Sequence, residues 1–127
     1  TWALPGTDRV GAQAHAFHDA LSDAITLHAP RLVAFQAALP AVREPDCALR
    51  QFGLFYIASL VLDVREVRMV RPTVDDVRRV VLGRANGLRS ADVLAWCRGR
   101  AWDVRSPECA DTAALWAWAV ATHGDAR

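Results

Sequence analysis

The sequence predicts an all-α fold: a compact bundle of about six helices around a central apolar helix near residues 46–70. Three observations carry this expectation. Ala, Leu, Arg and Val dominate the chain, and the first three are good helix formers. Apolar residues recur at steps of three and four, the spacing that places them on one helical face. Proline and Ser/Thr signals punctuate the chain where such helices should start and stop.

Residues 1–7 hold Pro5 and Gly6 and read as an arm. Asp8 is placed to cap a first helix over 8–28, whose stripe runs Val10, Ala14, Phe17, Leu21, Ala24 or Ile25, and His28. Pro30 opens a short second helix carrying Leu32, Phe35 and Leu39, because its fixed φ suits a first-turn position. Pro40 ends it, since proline lacks the backbone donor. Pro45, followed by Asp46, opens the third helix. Leu49, Phe52, Phe55, Tyr56, Leu60, Val64 and Val67 keep helical spacing, and residues 53–62 are uncharged. A helix apolar on every side is normally buried centrally. Arg71-Pro72 stops it, with a short Val-rich strand over 64–70 as the lesser alternative.

Thr73 caps a fourth helix with Asp75 and Asp76 in its first turn. Asn86-Gly87 marks a turn. Ser90 caps a fifth helix that turns Val93, Leu94, Trp96 and Cys97 inward. Ser106-Pro107-Glu108 is a helix start with cap, first-turn proline and first-turn acid. The sixth helix runs to about His123, before Gly124. Short connections and the absence of a linker predict one domain over 1–127.

Composition narrows the functional classes. Hydrophobic residues make up 53% of the 127, too many for a disordered tail. Every one of the fifteen basic residues is arginine and the net charge is +1, which fits a GC-rich coding sequence and points to no particular partner. Three cysteines, Cys47, Cys97 and Cys109, are an odd set with no Cys-x-x-Cys. A reducing, intracellular setting is the simpler expectation. No apolar run is long enough for a membrane span.

Charge is uneven along the chain. Residues 65–105 hold ten arginines against five acids, a net of +5, while the segments on either side are each −2. Internal pairing explains such a pattern; a footprint for an acidic partner or nucleic acid is the functional alternative. Within this stretch Leu82-Gly83, Gly87-Leu88, Ser90, Val93 and Trp96 resemble a helix-turn-helix. The resemblance implies DNA contacts by Arg78, Arg79, Arg84, Arg89, Arg98 and Arg100, with Arg89 near the start of the second helix.

His15, His18, Asp19 and Ser22 share a face of the first helix, but two ligands from one helix do not make a metal site. No phosphate loop, paired-carboxylate motif or nucleophile elbow stands out. The expectation is therefore no catalytic residue, no cofactor and no metal. Five tryptophans remain. Trp116 and Trp118 point about 200° apart on a helix, so both are covered only if that helix is central. An exposed Trp is a good interface anchor. The sequence thus predicts a non-enzymatic protein-interaction module: an adaptor, regulator, inhibitor or self-associating subunit. Its partner surface would comprise Trp102, Trp116, Trp118, Arg98 and Arg100. A DNA-binding regulator using residues 73–100 is the alternative.

Overall fold

The computed structural model describes residues 9–36 and 45–124, with side chains from residue 48 in the second stretch. The chain divides into two compact units, Thr1–Val70 and Arg71–Arg127. The arm at 1–7, the Asp8 cap and the Leu39-Pro40 helix stop lie outside the described residues.

In the first unit, α1 spans Val10–His28 and α2 spans Pro45–Val64. Between and after them come two short strands, β1 (Leu32–Ala34) and β2 (Arg68–Val70), paired in parallel with Leu32 opposite Arg68 and Ala34 opposite Val70. The Phe35 N–H donates to the Val70 carbonyl at 2.9 Å, extending the ladder. This is a β–α–β unit, because parallel neighbours need a long crossover and α2 supplies it. The expected second helix is therefore corrected to a strand. Its window between Pro30 and Pro40 is too short for a stable helix, and a β-branched valine at its centre suits a pleat. The third helix is likewise corrected: it ends at Val64, and the lesser alternative of a strand over 64–70 is met in part by β2 at Arg68–Val70.

The core of this unit gathers Leu21 and Ile25 from α1 with Ala58, Val61 and Leu62 from α2, flanked by Phe17, Val33, Phe35, Ile57, Val67 and Met69. Among the described residues only one face of α2 is covered. Leu49, Phe52, Tyr56, Leu60 and Val64 are exposed, so α2 is not the all-round buried helix its composition suggests. Arg65 ties the end of α2 to α1, donating to the Thr26 hydroxyl and to the Ser22 carbonyl. His28 ends α1 exposed to solvent, off the core.

The second unit is built from α3 (Val74–Leu82), α4 (Ser90–Gly99) and α5 (Pro107–His123). Five helices, not about six, are present among the described residues, and the mostly helical character stands. Thr73 caps α3: its hydroxyl accepts from the Asp76 N–H at 3.1 Å, and the Asp76 carboxylate accepts from the Thr73 N–H at 3.0 Å. This reciprocal pair satisfies two otherwise orphaned donors. At α4 the expected cap shifts by one residue. Ser90 is already helical, and Asp92 reaches back to accept from the Arg89 N–H at 2.7 Å. At α5 the Ser106 hydroxyl accepts from the Cys109 N–H at 3.2 Å with Pro107 in the first turn. Val77, Val93, Cys97, Ala110, Ala114 and Trp118 are buried. The last three recur every four residues and define the inner face of α5.

Candidate functional site

The second unit contains the titratable groups that its packing perturbs together. Ser106 and Pro107 start α5 so that Glu108 and Asp111 follow in its first two turns, three residues apart and hence neighbours on the helix surface. Burial pushes the Asp111 carboxyl above its ordinary value. The Arg78 guanidinium on α3 opposes that shift, and the Glu108 carboxylate adds to it. Cys97, on α4, is fully buried and donates through Sγ to the Ala110 carbonyl at 3.7 Å. Its thiol is also pushed up, first by burial and then by the charge of Asp111, while Arg100 acts in the opposite sense.

Arg78 links the parts. One terminal nitrogen donates to the Leu88 carbonyl at 3.0 Å, pinning the turn before α4. Its Nε is buried and has no hydrogen-bond partner among the described residues. A buried, unpartnered donor is costly, so Arg78 is held in place by more than its own bonding. Arg78 of α3, Cys97 of α4 and the carboxyls of Glu108 and Asp111 on α5 thus influence one another electrostatically within this unit. Groups perturbed by both desolvation and a specific charge occur at working sites and in structural charge networks alike.

A second feature of this unit is aromatic. Trp96 and Trp102 pack edge to face at 5.3 Å between ring centroids, and Trp102 and Trp116 do the same at 5.9 Å. The Arg100 guanidinium lies 4.2 Å over the Trp96 ring. Trp116 is 60% exposed while Trp118 is only 9% exposed, so the two-residue offset on α5 resolves with Trp116 outside. Trp118 lies inside and meets His123 edge to face.

The other arginines singled out from sequence are placed as follows. Arg79 is exposed and 3.6 Å from Asp76. Arg84 lies just past α3, Arg89 precedes α4 and Arg98 stands near its end, all exposed. The helix-turn-helix geometry is not formed. Residues 83–89 separate α3 from α4, longer than the three- to four-residue turn of that motif. Gly83 has a φ of +82° and open space around it, so it caps α3 and does not mark a close helix crossing. Gly87, with a φ of +74°, does form the expected turn.

In the first unit, His15 and His18 approach Asp19 at 3.6 and 3.0 Å on an exposed face. The His18 hydrogen bond leads in holding the Asp19 carboxyl below its ordinary value. Among the described residues no group of three or more His, Cys, Asp or Glu side chains is gathered to hold a metal ion. No helix among them is long and apolar enough to cross a membrane.

Neither a family model nor a curated protein matches the sequence. The structure, however, is similar to that of RuvC from Thermus thermophilus, with a TM-score of 0.70 at 12% sequence identity. The match covers 88% of this chain and 70% of that one. The two share a fold. The expectation of a non-enzymatic interaction module is corrected on this likeness, which at 12% identity shows the fold alone.

The carboxyl pair was missed in the sequence because Glu108 reads as an ordinary first-turn acid. Its signal was the i, i+3 repeat of acids, Glu108 and Asp111, on a helix otherwise apolar from residue 113 to 120.

Proposed function

We propose that this protein acts on nucleic acid as a nuclease of RuvC-like fold, with Glu108 and Asp111 as the acidic groups of its site. The observation that carries the reading is the fold match across 88% of the chain. Two features support it. The first is a half-buried carboxyl whose pKa burial raises, influenced by a second carboxyl and an arginine, and carboxyl groups are common general acids and bases. The second is the arginine supply. Residues 71–105 hold eight arginines against four acids, and guanidinium forks suit phosphate oxygens. In this reading Arg79, Arg84, Arg89, Arg98 and Arg100 hold phosphates, and Arg78 keeps Asp111 in register. The two carboxylates do not make a metal centre unaided, so a divalent ion would require a further ligand beyond the described side chains.

The test is a cleavage assay on a four-way DNA junction and on linear duplex, with and without added magnesium, using wild type and Asp111→Asn. The expected result is cleavage of the junction in preference to the duplex, reduced at least tenfold by the substitution. A protein that neither binds nor cuts either DNA at low salt overturns the proposal.

A further inference from the structure

An open groove of about 310 Å³ runs along the second unit, lined by Val80 and Val81 of α3, Trp96 of α4, Arg100 just past its end, Trp102, and Trp116 of α5. None of its lining residues belongs to the carboxyl cluster. We infer that this groove is a stacking platform for unpaired nucleotides. The inference rests on the nucleic-acid reading above and names the part of the substrate that this face would take.

The argument begins with the rings. An exposed tryptophan on a helix whose other tryptophan is buried leaves a large apolar face in water, which is unfavourable unless something covers it. Edge-to-face packing joins Trp96, Trp102 and Trp116 at 5.3 and 5.9 Å. Rings packed this way are held rigid without stacking face on face, so a flat ligand can still be accepted. The one charged residue among those lining the groove is Arg100, and its guanidinium carbon already lies over an indole, 4.2 Å from the ring centroid. Aromatic rings beside arginine are the recurring composition of sites that bind single strands. Bases stack on the rings and the cation meets the backbone.

Charge decides between a nucleic acid and a protein occupant. The surrounding segment 71–105 carries a net excess of four arginines, and exposed Arg98 precedes Arg100 by two residues. Both features complement a polyanion. A strand at a branch or nick exposes unpaired bases that paired duplex hides. The platform would therefore favour branched or single-stranded substrate over intact duplex.

The experiment measures binding of a 5′-labelled oligothymidylate of about twenty nucleotides and of a duplex of equal length, by anisotropy and by intrinsic tryptophan fluorescence. It compares wild type, Trp116→Ala and Trp116→Phe. Base stacking on one aromatic ring is worth roughly fivefold or more in affinity. The alanine variant should lose at least that factor for the single strand, with little change for the duplex, and phenylalanine should restore most of it. Fluorescence of the wild type should be quenched by the single strand. Trp116 is exposed, so the folded state survives its loss, and an unchanged melting temperature checks this. DNA binding that is the same in all three proteins overturns the stacking platform while leaving the nuclease reading intact. Absence of binding to either DNA overturns both. Sedimentation showing a dimer that Trp116→Ala dissociates would assign the groove to a second copy of the chain and overturn the inference.

Discussion

Leu60 and Leu62 stand two residues apart in α2 and should respond very differently to truncation. Leu62 is 1% exposed in the core formed with Leu21, Ile25, Ala58 and Val61, whereas Leu60 is 60% exposed. Removing a buried leucine side chain forfeits its transfer energy and leaves a cavity, a loss of about 3–5 kcal/mol. Full burial of a leucine is worth about 1.5–3 kcal/mol. Leu60, with well under half of its surface covered, should therefore cost no more than about 1 kcal/mol. Against a total stability of about 5–15 kcal/mol, only Leu62→Ala endangers the fold. In urea, with a slope of about 2 kcal/mol per molar, the midpoint should fall by roughly 1.5–2.5 M for Leu62→Ala and by about 0.5 M or less for Leu60→Ala. Far-UV circular dichroism reads both transitions. Equal losses, or a larger one at Leu60, would refute the placement of α2 with its Ala58–Leu62 face inward.

Other consequences are as direct. Thr73→Ala removes the hydroxyl that accepts from Asp76 N–H and should cost about 1 kcal/mol of stability, read by urea titration. The lowered Asp76 pKa, caused first by the Thr73 backbone donor, sets a pH sign: the support of this cap is full above the ordinary value of 3.8 and fades as pH falls through the lowered one. Asp111 has the opposite sign. Burial raises its pKa, so its charged form opposes folding as pH rises above 3.8. Asp111→Asn should raise the neutral-pH melting temperature while lowering activity, as stabilising changes at a site often do. An iodoacetamide time course with mass mapping should label exposed Cys109 well before buried Cys97, whose thiol is further slowed by its raised pKa.

Much of the second unit was legible in the sequence because local chemistry sets its boundaries. Thr73 with Asp76, Gly87 after Asn86, and Ser106 with Pro107 each act within four residues, and each lies where its chemistry places it. What was not legible depends on distance along the chain. β1 needs Arg68–Val70 as its partner, more than thirty residues away, and a three-residue segment has no period of its own. Between residues 53 and 62 helix α2 carries no charge on any side, so nothing in its spacing tells which leucine faces the core. The influence of Arg78 on Asp111 acts between two helices, and sequence alone supplied only a first-turn acid. A fold shared at 12% identity leaves no motif to read. The uneven charge was visible throughout, but it became informative only when α4 and α5 gathered the tryptophans beside Arg100.

The most direct test of the central claim is affinity for a four-way DNA junction and for a linear duplex, measured across a salt series. A nucleic-acid enzyme of this fold should bind the junction more tightly, with log affinity falling linearly as log salt rises, as arginines displace counterions from phosphates. Absence of binding to either DNA at low salt would contradict the account.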